Sequence, residues 1–370
     1  MSEPFVRLGV IGFGGFAQFA VQQFVQVPGV RLVGMAGTHR EAAHAAAQRF
    51  GVADVQEVDA LLARDDIDLV YIATPPFLHH EQSLAALRSG KHVICEKPLA
   101  LTTAQADELV AIAQERQLAA VANLMQRYNP LFDVVRQIVE ERLLGSVLHG
   151  YFENYAVDEG LPPDHWFWDR SKSGGIFVEH GVHFFDLVAG WLGAGKVVAA
   201  QASQRPDSHV EDQVQATVSY ADGVHVNFYH GFHQPGRLDR QELRLVFERG
   251  DVLLEEWVPT RYRIRGIANE EQTRRLCELL PDGRLDATES YSGDQRSCRG
   301  RFQPYDVYQK FDLHGGYASR KSHLYGDLLR AMLVDQLRWI ADHSHVRRIT
   351  EANGRDSVAM AEQADRLARR

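Results

Sequence analysis

The stretch Val6-Arg7-Leu8-Gly9-Val10-Ile11-Gly12-Phe13-Gly14-Gly15-Phe16-Ala17 decides how the rest of the chain is read. Its first half holds the short apolar run Leu8-Gly9-Val10-Ile11, ended by glycines, and reads as a strand. Its second half fits G-x-G-x-x-[GA] and opens a helical segment, Phe16–Val27, stopped by Pro28-Gly29. Strand, glycine turn and helix in that order suit a dinucleotide. Gly12 allows the tight turn, Gly14 lets the backbone approach a pyrophosphate, and Ala17 permits close helix–strand packing. The helix N-terminus then offers N–H groups and a positive dipole end to the anion. A glycine turn that binds nothing has the same composition. The strand–turn–helix context favours the dinucleotide, with Gly12, Phe13, Gly14 and Gly15 as its contacts.

Outward from this stretch, strands and helices alternate. Val30–Ala36 reads as a strand, Glu41–Phe50 as a helix stopped by Gly51, and Leu69–Ala73 as a strand buried on both faces. His80–Arg88, His92–Cys95, Thr103–Gln117 and Ala119–Ala122 continue the series. Repeated βα units predict an α/β protein whose first domain, residues 1–123, is a Rossmann-type doubly wound parallel sheet. Residues 124–345 have a different texture. Helices are expected at Pro130–Leu143 and His180–Leu192, and a long strand at Val147–Tyr155. Alternating strands follow at Val197–Ser203, Val214–Tyr220, Val224–Tyr229, Leu243–Glu248 and Asp251–Trp257. Asp222-Gly223 and Arg249-Gly250 are tight-turn signals, so this second α/β domain carries an open, largely antiparallel sheet. Residues 266–310 are polar with few periodic signals and read as loops. A helix at His323–Asp342 and another at Glu351–Ala368 finish the chain, the last within a segment, 346–370, expected to pack back on the first domain.

The formal net charge is -9 and no Lys/Arg run appears, which argues against a nucleic-acid partner. Three scattered cysteines, Cys95, Cys277 and Cys298, suit reduced thiols in a cytoplasm. No secretion signal opens the sequence, and no segment approaches the roughly 20 apolar residues of a membrane span. A soluble cytoplasmic protein is expected.

About 20 residues after the fingerprint, dinucleotide sites usually place an acid on the adenosine ribose. That position here is Gly37, followed by Thr38, His39 and Arg40. With no carboxylate to repel a 2′-phosphate, and with Thr38 and Arg40 able to hold one, NADP is preferred over NAD. Alternatively, Arg40 simply starts a solvated helix face.

Further along, Thr74-Pro75-Pro76-Phe77-Leu78-His79 leads through a helix to Gly90-Lys91-His92-Val93-Ile94-Cys95-Glu96-Lys97-Pro98. These segments resemble the glucose-fructose oxidoreductase/inositol dehydrogenase/MocA (Gfo/Idh/MocA) family. Three more matches follow in order: Arg127-Tyr128-Asn129-Pro130; Ser173-Gly174-Gly175 with Glu179, Gly181, His183 and Asp186; and Glu351-Ala352-Asn353-Gly354-Arg355. The resemblance implies that Thr74, Pro75, His79, Glu96 and Arg127 serve the cofactor. It also implies that Lys97, before a Pro bond often cis in the family, faces nicotinamide and substrate. Glu179 stands where the family commonly has Asp, one methylene shorter.

Hydride transfer from an alcohol needs a proton acceptor. The resemblance casts His183 as the base, Glu179 as its orienting acid, and Lys97 as the hydrogen bond to the reacting oxygen. Each has a plainer alternative: an exposed turn lysine, and a satisfied core histidine. Trp166, in the Trp166-Phe167-Trp168 loop, and Tyr155 could face a sugar, or anchor a loop. Tyr128 and Tyr325 complete the candidate substrate residues. Glu179-His180-x-x-His183 lacks a metal-site pattern, so no metal is expected. The implied activity is dehydrogenation or reduction of a sugar, cyclitol or related polyol by a homodimer or homotetramer. An NAD-using glycosidase and a non-catalytic dinucleotide-sensing regulator are the competing readings.

Overall fold

The run Val6–Ile11 forms β1, and Leu8, Val10 and Ile11 are completely buried. The computed structural model describes residues 6–37, 40–52, 55–158, 160–206, 208–301, 303–317 and 320–370, the side chains of residues 40–43 excepted. Two compact units emerge. One comprises Met1–Tyr128, Pro162–Asp186 and Tyr325–Asp365, and the other Asn129–Leu161, Leu187–Leu324 and Arg366–Arg370. This interleaving departs from the sequential division at 123 and 345. Its physical reason lies in polar contacts that tie distant segments into the first unit: Arg127 to Asp186, Asn353 to Asp186, and Arg170 to Asp365.

The first unit holds a six-stranded, all-parallel sheet. Its strands are β1, β2 (Val30–Ala36), β3 (Val55–Gln56), β4 (Leu69–Ile72), β5 (His92–Cys95) and β6 (Ala120–Ala122), in the order β3-β2-β1-β4-β5-β6. Helices α1 (Gly15–Phe24), α2 (Arg40–Phe50), α3 (Val58–Leu62), α4 (His79–Arg88) and α5 (Thr103–Arg116) connect them. Leu69, Val70, Tyr71 and Ile72 are fully buried, as a continuous apolar strand covered on both faces requires. Phe24 of α1 packs edge-on against Tyr71, with ring centroids 4.9 Å apart. The strand order reverses between β1 and β4, and such a reversal opens a crevice at the C-terminal strand ends. The two-residue β3 and five-residue α3 are too short to leave a periodic signal.

The second unit is built on nine strands: β7 (Val147–Ala156), β8 (Lys196–Gln204), β9 (Glu211–Ser219), β10 (His225–Phe232), β11 (Arg240–Phe247), β12 (Gly250–Glu255), β13 (Arg261–Ala268), β14 (Arg284–Ser290) and β17 (Gln309–Gly316). Their order is β14-β17-β13-β12-β11-β7-β10-β9-β8, and only the β7–β10 pair is parallel. β15 (Ser297–Arg299) and β16 (Pro304–Asp306) form a separate ribbon. Val214, Ala216 and Val218 of β9 point to the core with Val226 and Phe228 of β10, while Gln213, Gln215 and Thr217 alternate outward. Asp222 and Gly223 make the β9–β10 turn with φ of 57° and 75°.

Residues 266–310, read as loops, are instead largely ordered. They hold the end of β13, then α9 (Glu270–Leu279), β14, β15, β16 and the start of β17. The apolar pattern failed because these elements bury little: only Thr273 and Leu276 of α9 are buried, and β14 is an exposed edge strand. Helix α9 is specified by other means. Asn269 and Gln272 form a reciprocal capping box, and Arg274 pairs with Glu278 one turn on.

Beyond these lie α6 (Pro130–Glu140), α7 (Arg170–Ser173), α8 (Val182–Leu192) and α10 (Lys321–Ala341). The segment before α8, Phe177–Gly181, is π-helical, so the expected single helix from His180 has a wider first turn. The last helix, α11 (Glu351–Ala368), docks on the first unit. Glu362 accepts from Thr103 N at 3.0 Å, and Glu351 from Ala120 N at 3.2 Å. Among the described residues no helix is long and apolar enough to cross a membrane.

Candidate active site

The glycine turn meets the geometric demands of its sequence. Gly12 has φ of +103°, and a Cβ there would lie 2.5 Å from the Ala73 carbonyl oxygen, so only glycine fits where β1 meets the end of β4. At Gly14 and Gly15 a Cβ would meet nothing within 4 Å. Gly14 caps α1 without a side-chain bond, and no acid lies in the first turn. This open, uncapped helix N-terminus suits a pyrophosphate. Gly37 follows β2 and lies beside Phe13. Thr38 lies outside the described residues, as does the side chain of Arg40.

Lys97 follows β5, and the Lys97-Pro98 bond is cis. Its Nζ donates to the Glu179 carboxylate at 2.5 Å and to the Glu179 carbonyl at 2.8 Å. Both side chains are mostly covered, at 18% and 11% exposure. Residues 82 positions apart therefore meet, and Glu179 reaches Lys97, where its expected role was on His183. His183 lies in the first turn of α8 at 3% exposure. Burial, and then the positive charge of Lys97, hold its pKa well below the usual 6.5.

The remaining candidates divide. His79 is buried with its ring nitrogens 2.6 Å from the Pro98 carbonyl and 2.7 Å from the Thr74 carbonyl. It braces the Thr74-Pro75 turn against the residue after the lysine. Thr74 Oγ1 donates to Gln82 at 2.7 Å. Glu96 accepts from Tyr71 Oη at 2.5 Å and Asn123 Nδ2 at 2.7 Å. Burial raises the Glu96 pKa, and these bonds pull it back. Arg127 makes a bidentate pair with Asp186 at 2.8 Å for each bond, and Asn353 also donates to Asp186 at 2.9 Å. Tyr128 donates to Asp335 at 2.6 Å; burial and then that carboxylate raise its pKa. Tyr325 packs on Phe16 and Phe19 of α1, at 5.6 and 5.5 Å. Half-buried Trp166 lies among His165 and Phe167, at 5.1 and 6.2 Å. Tyr155 belongs to the other unit, where Arg240 stacks over its ring at 4.4 Å.

Asp186, Asn353, Tyr71 and Asn123 were not singled out as site residues. Tyr71 had a usable signal, since a phenol inside a fully buried strand needs a partner. Asp186 and Asn353 lie within quoted motifs, but nothing in sequence says that they share Arg127. Among the described residues no group of three or more His, Cys, Asp or Glu could hold a metal.

Comparison with known proteins accords with this geometry. Residues 6–124 match the profile of the "oxidoreductase family, NAD-binding Rossmann fold", and residues 132–253 match the Gfo/Idh/MocA C-terminal domain. The 1,5-anhydro-D-fructose reductase of Ensifer adhaerens is 32% identical over 61% of this chain and 69% of its own length. The dTDP-3,4-didehydro-2,6-dideoxy-alpha-D-glucose 3-reductase of Actinomadura kijaniata is 32% identical over 51% of this chain and 57% of its own. The chain thus spans between about half and about two thirds of these curated relatives. Levoglucosan dehydrogenase, solved with NADH and L-sorbose, superposes with a TM-score of 0.78 at 20% identity, over 99% of this chain and 97% of that one. With both halves matched in order, this chain belongs to the Gfo/Idh/MocA oxidoreductase family.

Proposed function

We propose that this chain moves a hydride between a nicotinamide dinucleotide, preferably NADP, and a hydroxyl or carbonyl carbon of a sugar, cyclitol or related polyol. The observation that carries the reading is the Lys97–Glu179 pair beside a buried, low-pKa His183, in the unit that also holds the glycine turn. The relatives named as sugar reductases support the substrate class.

Bound nicotinamide supplies the carbon that accepts or gives the hydride. The chain's own residues handle the proton and the developing charge. Lys97 has three N–H donors, and Glu179 takes two through its carbonyl and carboxylate. The third is left for the reacting oxygen, where it stabilises negative charge as the hydroxyl proton departs. His183 is neutral at physiological pH, so it takes that proton in oxidation and returns it in reduction. Glu179 anchors the ammonium and balances its charge. Gly37 supports the NADP preference, because no carboxylate at that position repels a 2′-phosphate.

The test is steady-state turnover, followed by nicotinamide absorbance, with sugars and cyclitols and with NADP and NAD in both directions. Turnover that Lys97→Met abolishes is expected. Tight dinucleotide binding without net turnover across the panel would refute the reading, in favour of a glycosidase or a sensor. The polar outer face of the nine-stranded sheet is the proposed homodimer or homotetramer surface, which light scattering checks.

A further inference from the structure

Gly37 stands at the end of β2, where dinucleotide sites usually carry the ribose-binding acid. Its backbone lies outside the left-handed region, so the main chain would accept any residue there. The obstacle is a side chain. A Cβ on Gly37 would lie 2.5 Å from Cε2 and 2.6 Å from Cδ2 of Phe13. Phe13, the second residue of the glycine turn, thus covers the end of the neighbouring strand. The crowding is local, since Gly14 and Gly15 of the same turn face nothing within 4 Å. The turn is open towards a pyrophosphate and closed towards position 37.

We propose that Phe13 determines dinucleotide choice: its ring keeps position 37 free of a side chain and so withholds the carboxylate that would hold a ribose 2′-hydroxyl. The inference rests on the dinucleotide reading above. Phe13 and Gly37 then act as one steric unit, and an acid at position 37 is useful to NAD only when the ring has gone.

The experiment is a binding cycle on the full chain. NADPH and NADH are titrated by fluorescence against wild type, Gly37→Asp, Phe13→Ala and the double variant, with melting temperatures as a check of folding. Gly37→Asp should weaken both dinucleotides, because the ring and the new side chain compete for one space. The double variant should bind NADH at least about ten-fold more tightly than Gly37→Asp and reverse the NADPH/NADH ratio, in line with charge-assisted bonds to the ribose. NADH binding to Gly37→Asp as tight as to the double variant would overturn the proposal. If Gly37→Asp does not fold, Gly37→Ala takes its place. Its weakened dinucleotide binding should be restored by Phe13→Ala, and no restoration overturns the proposal. A wild type that binds neither dinucleotide would instead bring down the dinucleotide reading, and the proposal with it.

Discussion

His92 begins β5 with a largely buried ring whose Nδ1 accepts a hydrogen bond from the Ala119 backbone N–H at 3.1 Å. That bond requires the neutral ring. Burial first, then the nearby charge of His343, lower its pKa from 6.5 to about 4; Arg347 adds to the shift, and Asp68 and Glu351 oppose it. In the unfolded chain the ring titrates near 6.5, so between 6.5 and about 4 the unfolded state binds more protons. Stability from this group is complete above 6.5 and is lost as pH falls through that window. At 1.36 kcal/mol per pKa unit, the full loss is roughly 3 kcal/mol, and about 2 kcal/mol is already gone near pH 5. His92→Asn keeps an acceptor close to the Nδ1 position but does not titrate. Urea unfolding at about pH 7.5 and about pH 5 should show wild type losing about 2 kcal/mol more than His92→Asn over that interval. The comparison cancels the carboxylates that titrate in both proteins. Equal losses in the two proteins would refute the assignment of a buried neutral ring.

Three further outcomes are expected. Asp186→Ala removes the bidentate partner of Arg127, which is 13% exposed, and should cost about 3–5 kcal/mol in urea unfolding, with Asp186→Asn costing less. Glu179→Asp draws the carboxylate back by about one carbon–carbon bond from a 2.5 Å contact; kcat/KM should fall about ten-fold or more with dinucleotide affinity unchanged, and full activity would show that the Glu179 carbonyl alone holds Lys97. Because the pKa of His183 is held well below 6.5, kcat/KM for alcohol oxidation should stay level as pH falls through 6.5 and decline only in more acid solution; a midpoint at 6.5 would count against His183 as the base.

Elements whose sequence pattern reflects burial were legible. Residues 8–11 and Leu69–Ile72 carry continuous apolar runs because both of their faces are covered, and the β9–β10 turn carries Asp222-Gly223 because φ is positive at both residues. Residues 266–310 carried few such signals, since α9 rests on a capping box and ion pairs and β14 lies exposed at a sheet edge. The candidate site was legible as residue types and not as partnerships. Motif order pointed to Lys97, Glu179 and His183, but the bond from Lys97 spans 82 positions to reach Glu179 within the π-helical turn Phe177–Gly181. Gly37 illustrates the same limit. Its missing acid was visible in sequence, whereas the Phe13 ring that crowds a Cβ at that position required both strand ends to be placed.

The interleaving of the first unit has a mechanistic consequence. Glu179 and His183 lie in a segment, 162–186, that follows α6 and β7 of the other unit, yet it is fastened to the parallel-sheet unit at both ends. Arg170 donates to Asp365 at 2.7 Å near its start, and Asp186 receives Arg127 and Asn353 at its close. His183, the proposed base, lies three residues before Asp186, in the same unit that carries the glycine turn and Lys97. Hydride transfer tolerates little error in the placement of base, lysine and dinucleotide. The glycine turn, Lys97 and His183 all belong to one unit, so their mutual placement is set within it. Loosening Asp186 should therefore slow the chemical step, whereas altering Tyr155 and its partner Arg240, which belong to the other unit, should leave Lys97 and His183 in register.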